Sequence, residues 1–348
     1  MSLLVDLYDS RSLTKAINKI NATQPFILDK FFGAKEPHSA DKVDIEIYTG
    51  SGKTAQFVSA NDPEPKSVKK TTKTVKTVTI PRTYECKVFT AKELWDFNAI
   101  GNFYGTDQER KAAQQERVAR ELAEMKDRVL RLREYMAGKA LSAGKVSMDQ
   151  DNFAFEIDFG FANSAQLITL TGADLWSAST SDPVKNLRAW LRSIARASNL
   201  SGSALLLGAT AADAFVSNAG VLKALDNLNT RVGVMDMTTN YPGASLLAKN
   251  FMGLEVWEYN QQYVTPAGVA TDIIPTDRAV LVAASDTMRT HFGPAYRINN
   301  NSSEAITGEF LLEVDKAKSS QTMIQWNCEQ KSLPAVHDAG CVVSAKVV

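Results

Sequence analysis

The residues with the clearest chemical potential lie in a glycine-rich segment. Residues 50–54 read Gly-Ser-Gly-Lys-Thr, and a phosphate-binding loop also ends in Gly-Lys-Thr. The complete loop requires a further glycine five positions before Gly52, where this chain has Ile47. It also requires a helix after the threonine, but Pro63 and Pro65 follow closely. We therefore interpret residues 50–54 as a turn in a polar hairpin and not as a nucleotide site.

Other catalytic and metal-binding patterns are missing from the sequence. There is no Gly-x-Ser-x-Gly elbow and no His-Glu-x-x-His pair. The histidines lie far apart in sequence, without clustered cysteines or carboxylates at ligand spacing: His38, His291 and His337. The cysteines are odd in number and widely spaced, which implies no disulfide framework and favours the reducing cytosol: Cys86, Cys328 and Cys341. We predict no catalytic residue, no metal ligand and no cofactor.

A run of lysines lies between residues 65 and 78. Its members are Lys66, Lys69, Lys70, Lys73 and Lys76. Proteins that bind single-stranded nucleic acid interleave aromatic side chains for stacking, and base readers favour arginine. The run contains neither. Two interpretations remain open: a solvated hairpin edge protected from aggregation by lysine, or a contact with an acidic surface of another protein.

Composition and charge indicate a soluble globular protein and disfavour a nucleic-acid-binding one. The 348 residues carry 39 Lys and Arg against 39 Asp and Glu, and 44% are hydrophobic. These values are typical of a soluble globular chain of about two domains. Because phosphate binding requires a basic excess, general nucleic-acid binding is disfavoured, whereas a neutral surface tolerates dense self-association. The sequence predicts neither a signal peptide nor a membrane span.

The N-terminal 42 residues predict an irregular arm with one apolar cluster. Pro25 can open a short helix and Gly33 can close it. The apolar side chains of the cluster are Phe26, Ile27, Leu28, Phe31 and Phe32. Two interpretations remain open: a short helix docked on the core of its own chain, or an arm whose phenylalanines anchor on a neighbouring subunit.

Residues 43–90 carry strand patterns. Val43, Ile45 and Ile47 alternate with polar residues, and residues 74–90 are rich in the Thr, Val and Tyr that suit strands. The prolines between the two runs indicate a loop tip. We predict one long, polar, two-stranded hairpin. Because an isolated hairpin is marginally stable at best, it must lie on its own body or on another chain.

Residues 106–143 predict a single long helix without proline. Thr106 and Glu109 have the spacing of a capping box. One apolar stripe recurs at intervals of three and four residues: Val118, Leu122, Met125, Val129, Leu132 and Met136. A coiled coil is an alternative, although the stripe covers only about three heptads. A helix of roughly 55 Å needs support along its length.

The remaining sequence predicts three regions. Residues 145–180 contain strand patterns, including the alternating segment 153–161. Residues 183–290 mix helices and strands and open with a proline at a first-turn position. Residues 291–348 are strand-like to the end of the chain. The fold class is therefore α+β or α/β.

This order of elements resembles the major capsid proteins of tailed bacteriophages, specifically the lambda-type major head protein family. The segments "QPFILDKFF" and "DKVDIEIYTG" are similar to its early part, and "QTMIQ" and "GCVVSAKVV" to its last strands. Matching positions within residues 255–285 are Tyr259, Gln262, Tyr263, Val264, Pro275, Asp277 and Val280. None is specific alone, but their order extends over nearly the whole chain.

The resemblance implies an α+β Hong Kong 97-like phage capsid fold. It divides the chain into an N-terminal arm (1–42), an extended β-hairpin loop (43–90), a peripheral domain (91–182, with a spine helix at 106–143), an axial domain (183–290) and C-terminal strands of the peripheral domain (291–348). Residues 47–85 would lie over the adjacent subunit. The short arm lacks a helical run, which suggests a separate scaffolding protein.

The function implied is a major capsid protein, with no enzymatic activity. It would self-assemble as pentamers and hexamers into an icosahedral head that encloses double-stranded DNA without sequence-specific binding. A portal protein and, in some heads, a decoration protein are the other expected partners, with assembly in the host bacterial cytoplasm and a final place in the virion. The predicted interface residues are Phe26, Phe31, Phe32, Lys66, Lys69, Lys70 and Lys73. The alternative is an α/β enzyme with a split active site in residues 183–290.

Overall fold

The computed structural model describes residues 9–20, 25–49, 72–93, 107–150, 153–162, 165–227, 241–265, 268–283, 286–299, 302–307, 310–315 and 323–348. The N-terminal part forms two helices, α1 (Ser10–Lys19) and α2 (Phe26–Phe31). The Asp9 carboxylate caps α1 by accepting hydrogen bonds from the backbone N–H groups of Arg11 and Ser12. The predicted short helix after Pro25 is confirmed as α2. Helix α1 corrects the expectation that the rest of the arm is irregular and lacks a helical run.

The predicted hairpin is present but shorter than expected. After β1 (Ala34–Pro37), strands β2 (Lys42–Thr49) and β3 (Thr72–Thr79) pair antiparallel, so residues 50–71 connect two hairpin arms. Residues 82–90 do not belong to it. They form β4 (Arg82–Thr90), which pairs along its length with β18 (Met323–Val336). Pro81 has no N–H for a ladder, which explains why one strand-like run becomes two strands.

The long helix α3 (Asp107–Ala143) confirms the predicted segment at 106–143, while Thr106 and its expected cap lie outside the described residues. Of the apolar stripe, Leu132 is half-buried and the other members are buried. The stripe packs against α1, α2 and β18 of its own chain, so α3 does not use it to form a coiled coil.

A hairpin and a short strand follow α3: β5 (Lys145–Gln150), β6 (Phe153–Asp158) and β7 (Leu167–Thr169). The mixed region then contains α4 (Pro183–Ser198), β8 (Gly202–Leu207), α5 (Ala209–Ser217), α6 (Ala219–Asn227), β9 (Ala244–Phe251), β10 (Leu254–Tyr259), β11 (Gln262–Val264), β12 (Ala270–Asp272) and β13 (Arg278–Ala283). The strand patterns predicted in residues 145–180 are confirmed, and β6 occupies most of the alternating segment 153–161.

The last strands are β14 (Met288–Phe292), β15 (Ala295–Asn299), β16 (Ser302–Ile306), β17 (Leu311–Val314), β18 and β19 (Val342–Lys346). Strand β18 pairs with β14, β17 and β4 and carries the sheet under α3. The position of strand β19 differs from the predicted division into domains, which assigned residues 291–348 to the peripheral domain. It pairs with β13 in a six-stranded sheet of order β7-β19-β13-β8-β10-β9, so the end of the chain joins the sheet of the mixed region.

Two apolar clusters form the core. The smaller one lies between α1, the first half of α3 and the β4–β18–β17 sheet, with Trp326 at its centre. The larger one joins the second half of α3 to α2, the hairpin base and the six-stranded sheet. Within the described residues, no helix has the length and apolar character needed to cross a membrane.

Gly208 permits a close approach between α5 and the segment before β13. A Cβ at this position would lie 2.3 Å from the Pro275 carbonyl oxygen and 2.6 Å from the Thr276 Cα, both backbone atoms. Overpacking of this kind typically costs 1–3 kcal/mol, so we expect Gly208→Ala to lower the free energy of unfolding by about 2 kcal/mol. Chemical denaturation of the unassembled subunit measures it.

Gly33→Ala is the matched control for this substitution. A Cβ at Gly33 meets only the Asp29 carbonyl oxygen, at an ordinary 3.4 Å. We expect its effect to stay within about 0.5 kcal/mol. Equal stability of the two variants would show that the segment around Pro275 and Thr276 moves freely away from α5.

Candidate functional site

Helix α3 contacts the N-terminal segment through two buried ionisable side chains, Lys126 and Glu134. The Lys126 ammonium donates to the carbonyl oxygens of Ile17 (3.1 Å) and Ile20 (2.8 Å), at the C-terminal end of α1. The Glu134 carboxylate accepts from the N–H groups of Ile27 (2.7 Å) and Leu28 (3.0 Å), at the N-terminus of α2. The Lys126 ammonium faces the negative end of α1, and the Glu134 carboxyl group faces the positive end of α2. The two contacts satisfy backbone groups that these short helices leave unpaired.

Sequence reasoning missed both charged residues. Neither residue belongs to the apolar stripe of α3, and at 3.6 residues per turn their positions lie about 80° apart around the helix axis. A charged residue at the border of an apolar stripe is usually solvated. Only the position of α1 and α2 in space shows that these two are buried and paired.

The surroundings of Glu134 strongly shift the pKa of its carboxyl group. Burial raises the pKa of its carboxyl to about 7, although the hydrogen bonds from Ile27, Leu28 and the Tyr259 hydroxyl (2.8 Å) act in the opposite direction. Burial, together with the neighbouring carboxylate, also raises the pKa of Tyr259. The pair therefore keeps its protons more tightly than the same groups in water.

The predicted interface residues Phe26, Phe31 and Phe32 are buried within their own chain, as expected for a short helix docked on its own core. Phe26 is 1% exposed and contacts the rings of Tyr241, Trp257 and Tyr259 at centroid distances of 5.1, 4.8 and 5.8 Å. The physical reason is that Tyr241 and the β10 residues Trp257 and Tyr259 present an aromatic pocket to α2. This burial favours the alternative of a helix docked on its own core, and a contact of these residues with a neighbouring subunit stays a prediction.

The lysine run lies mostly beyond the described residues. Lys66, Lys69 and Lys70 fall in the undescribed connection between β2 and β3. Lys73 lies in β3, where it pairs in register with Tyr48. Their contact with an acidic surface stays a prediction.

An exposed apolar face occurs on β4 instead. The side chains of β4 alternate, with Arg82, Tyr84, Cys86 and Val88 outward, and we call these four residues the β4 outer face. Tyr84 is 53% and Val88 46% exposed, and Val75 on β3 is 54% exposed. The Arg82 guanidinium lies over the Tyr84 ring, 4.3 Å from its centroid. Apolar side chains exposed together on a sheet are typical of a surface that a partner covers.

A groove of about 700 Å³ borders this face. It runs between β4, α3 and β11, and its main lining residues are Tyr84, Arg128, Arg131, Leu132, Tyr263 and Val264. The Tyr263 ring stacks on Tyr135 at 4.5 Å, which fixes one wall. The groove combines apolar and basic groups and continues the β4 outer face.

Burial disfavours the reactive thiolate form of Cys328 and Cys341. Burial raises the pKa of both Cys328 and Cys341 to about 12, and the Cys341 thiol donates to the Asp338 carbonyl oxygen at 2.8 Å. The thiolate is the reactive form. Cys86 is exposed, and all three cysteines are free.

The three histidines converge, contrary to what their separation in sequence suggested. His38 Nε2 lies 2.8 Å from His291 Nδ1, and His291 Nε2 lies 2.9 Å from His337 Nε2. Strand β1 pairs with β14, and β14 pairs with β18, which ends just before His337. The argument from sequence spacing against a metal site therefore does not hold. Sheet pairing between distant segments gives no local signal that could have revealed it.

Comparisons with known proteins agree across the chain. A family model described as phage major capsid protein E matches residues 9–347. The crystal structure of a prophage protein from E. coli CFT073, assigned as a capsid protein, superposes with a TM-score of 0.66 at 12% identity, covering 98% of this chain and 99% of that one. A phage-related protein from Bordetella bronchiseptica RB50 gives a TM-score of 0.55 at 12% identity, covering 99% and 98%. The search of curated proteins gave no match.

Proposed function

Because this chain belongs to the phage major capsid protein E family, we propose that it assembles as pentamers and hexamers into an icosahedral head around double-stranded DNA. The predicted family resemblance and the Hong Kong 97-like capsid fold are confirmed. The chain is a structural capsid protein. The comparisons give no support to an enzyme with a split active site in residues 183–290.

The observation that carries the proposal is the extent of the family match. Residues 9–347 include the hairpin, the long helix and both large sheets, so the match extends over every element of the described fold. The proposed division keeps the predicted arm (1–42), hairpin loop, peripheral domain and axial domain (183–290). Strand pairing supports two changes: the hairpin loop ends at Thr79, and β19 is assigned to the axial sheet.

Two surfaces are proposed to meet adjacent subunits. The first is the hairpin β2–β3, whose inner face lies on its own core while Val75 is exposed on the outer side. The second is the β4 outer face with its groove. Burial of exposed apolar area at about 25 cal/mol per Å² gives assembly its driving force, and the neutral net charge avoids long-range repulsion between many copies.

The proposed partners follow from the same function. A separate scaffolding protein would guide assembly in the host bacterial cytoplasm, and a portal protein would occupy one vertex. A decoration protein is an optional addition on the outside of the virion. A neutral chain would enclose DNA without sequence-specific contacts, because tight phosphate binding requires a basic excess.

Electron microscopy and sedimentation of the expressed chain, with and without a co-expressed candidate scaffold, test the proposal. We expect closed shells, tubes, or rings of five or six subunits. A persistent monomer or dimer under every condition, including with scaffold, would count against shell assembly.

Reversal of the lysine charges tests the proposed hairpin contact. We expect a variant with Lys66, Lys69, Lys70 and Lys73 changed to Glu to raise the critical concentration for assembly about tenfold or more. Exposed ion pairs contribute about 0.2–1 kcal/mol each, and 1.4 kcal/mol is a factor of ten. Light scattering at several subunit concentrations measures the change.

The matched control changes the same four lysines to Arg, which keeps the charge and should assemble normally. Melting curves of both unassembled variants should agree with the parent chain. Normal assembly of the Glu variant would favour the other interpretation of the run, a solvated hairpin edge.

A further inference from the structure

Strands β1 and β14 bring three potential metal ligands together. Their parallel pairing places Glu36 opposite His291 in register, and the His38 N–H donates to the Phe292 carbonyl oxygen at 2.8 Å, which continues the pairing. Glu36 and His38 are two residues apart, so their side chains leave the strand on the same side. His291 is buried, whereas Glu36 and His38 are half-buried at the mouth of the cluster.

The spacing of the ligand atoms suits a small divalent ion. His291 Nδ1 lies 2.8 Å from His38 Nε2 and 3.8 Å from Glu36 Oε2, and all three ligand positions fall within 4.8 Å of one another. A tetrahedral zinc ion, with bonds of about 2.0–2.1 Å, separates its ligand atoms by roughly 3.3 Å. That value falls between the two separations at His291. Shifts of about 0.5 Å would bring the two pairs at His291 to that value. The Glu36 and His38 ligand atoms, within 4.8 Å of each other, would have to approach to it as well.

Hydrogen bonding orients His291 for this role. The Glu46 carbonyl oxygen can only accept, so His337 Nδ1 donates to it at 2.9 Å. His337 Nε2 therefore carries the lone pair and accepts from His291 Nε2–H at 2.9 Å. His291 Nδ1 is consequently the lone-pair nitrogen, and in the metal-free chain it accepts from His38 Nε2–H at 2.8 Å. Metal binding would move that hydrogen to His38 Nδ1, which leaves both nitrogens to the ion. An outer donor chain of this kind is the usual support for a metal-binding histidine.

We propose that Glu36, His38 and His291 form a binding site for a divalent transition metal of the zinc class, with His337 as its orienting residue. Two imidazoles and one carboxylate are ligands that such ions prefer, and water would occupy the remaining position. The Arg289 guanidinium, 3.4 Å from the Glu36 carboxylate, is the competing cation. Its side chain is 46% exposed and can turn to solvent when the metal binds.

The site would act as a clamp at the hairpin base. Glu36 and His38 directly precede β2, and His337 contacts the β2 backbone at Glu46. A bound ion would thus tie the segment that leads into the hairpin to β14. This inference does not depend on shell assembly, because all its ligands come from one chain.

The test uses the full chain, purified without a polyhistidine tag and treated with a chelator. Titration calorimetry with Zn²⁺ and visible absorption with Co²⁺ are the readouts. We expect one ion per chain, tetrahedral Co²⁺ bands, and a melting temperature that rises with Zn²⁺ concentration, because a ligand that binds only the folded state stabilises it.

Variants separate this site from incidental binding. We expect Glu36→Gln and His38→Ala to weaken Zn²⁺ binding at least tenfold, and His337→Ala to weaken it 10- to 100-fold as an orienting residue. Glu156→Gln, an exposed carboxylate on β6, is the control and should bind as the parent does. Glu36→Gln keeps the size of a half-buried side chain, so its metal-free melting temperature should match the parent.

Two results would overturn the proposal. One is the absence of saturable Zn²⁺ binding in the parent chain, which would leave the histidines as a hydrogen-bonded relay only. The other is equal Zn²⁺ affinity in the parent and in both ligand variants, which would place the bound ion elsewhere.

Discussion

Truncation of Phe26 to Ala is expected to lower the free energy of unfolding of the unassembled subunit by about 3–5 kcal/mol. The ring is 1% exposed and lies among Phe31, Tyr241, Trp257 and Tyr259. Removal of the ring loses the transfer free energy of the buried carbons and leaves a cavity. It also removes edge and stacked ring contacts, each worth about 0.5–1.5 kcal/mol.

The measurement separates two roles that the sequence left open. An anchor on a neighbouring subunit would leave the isolated subunit as stable as the parent and weaken only assembly. A core residue lowers stability before any assembly occurs. Urea denaturation of the unassembled subunit, followed by tryptophan fluorescence, therefore gives the decisive value.

Two controls accompany Phe26→Ala. Phe26→Leu retains most of the apolar volume and should cost less than the alanine variant. Leu222→Ala removes a side chain that is 50% exposed on α6 and should change stability by about 0.5 kcal/mol or less. A Phe26→Ala loss as small as that of Leu222→Ala would contradict the placement of α2 in the core.

Local periodicity explains which elements could be predicted. The stripe of α3 and the alternation of β2 depend only on neighbours in sequence, and the bounds of α3 agree with its pattern to within one residue. The break at Pro81 was also readable, because proline cannot donate to a strand ladder. We nevertheless predicted one continuous strand, because strand-forming residues lie on both sides of Pro81.

The features that could not be predicted depend on contacts between segments that lie far apart in sequence. An apolar cluster such as Phe26–Phe32 has the same composition whether its own chain or a neighbour covers it. The buried pairing of Glu134 with α2, the contacts among His38, His291 and His337, and the place of β19 all depend on strands and helices that are distant in sequence. The predicted order of elements was sufficient to identify the family. The contacts between distant residues could be seen only in the three-dimensional structure.

Glu134 is expected to make the stability of the subunit fall as the pH rises. Its carboxyl is buried under α2, and burial raises its pKa from 4.5 to about 7. The folded state therefore binds this proton more tightly than the unfolded chain. The stabilising effect is complete below pH 4.5, decreases as the pH rises towards 7, and is lost above it.

The size of the effect follows from the shift in pKa. One pKa unit corresponds to 1.36 kcal/mol, so the change from 4.5 to about 7 amounts to about 3 kcal/mol. Other groups titrate in the same pH range, so the pH dependence of the unfolding free energy of the parent alone would combine their effects with that of Glu134. The quantity to measure is the difference in unfolding free energy between the parent and Glu134→Gln, determined by urea denaturation from pH 4.5 to pH 8.

Glutamine has no titrating proton, so its altered contacts with Ile27 and Leu28 add an offset that does not vary with pH. The difference, parent minus variant, should fall by about 3 kcal/mol across this range. Glu156→Gln, on an exposed strand, should give a flat difference. A difference that rises with pH would mean that the three hydrogen bonds to the Glu134 carboxylate outweigh its burial. The charged form would then be the one that holds α2 against α3.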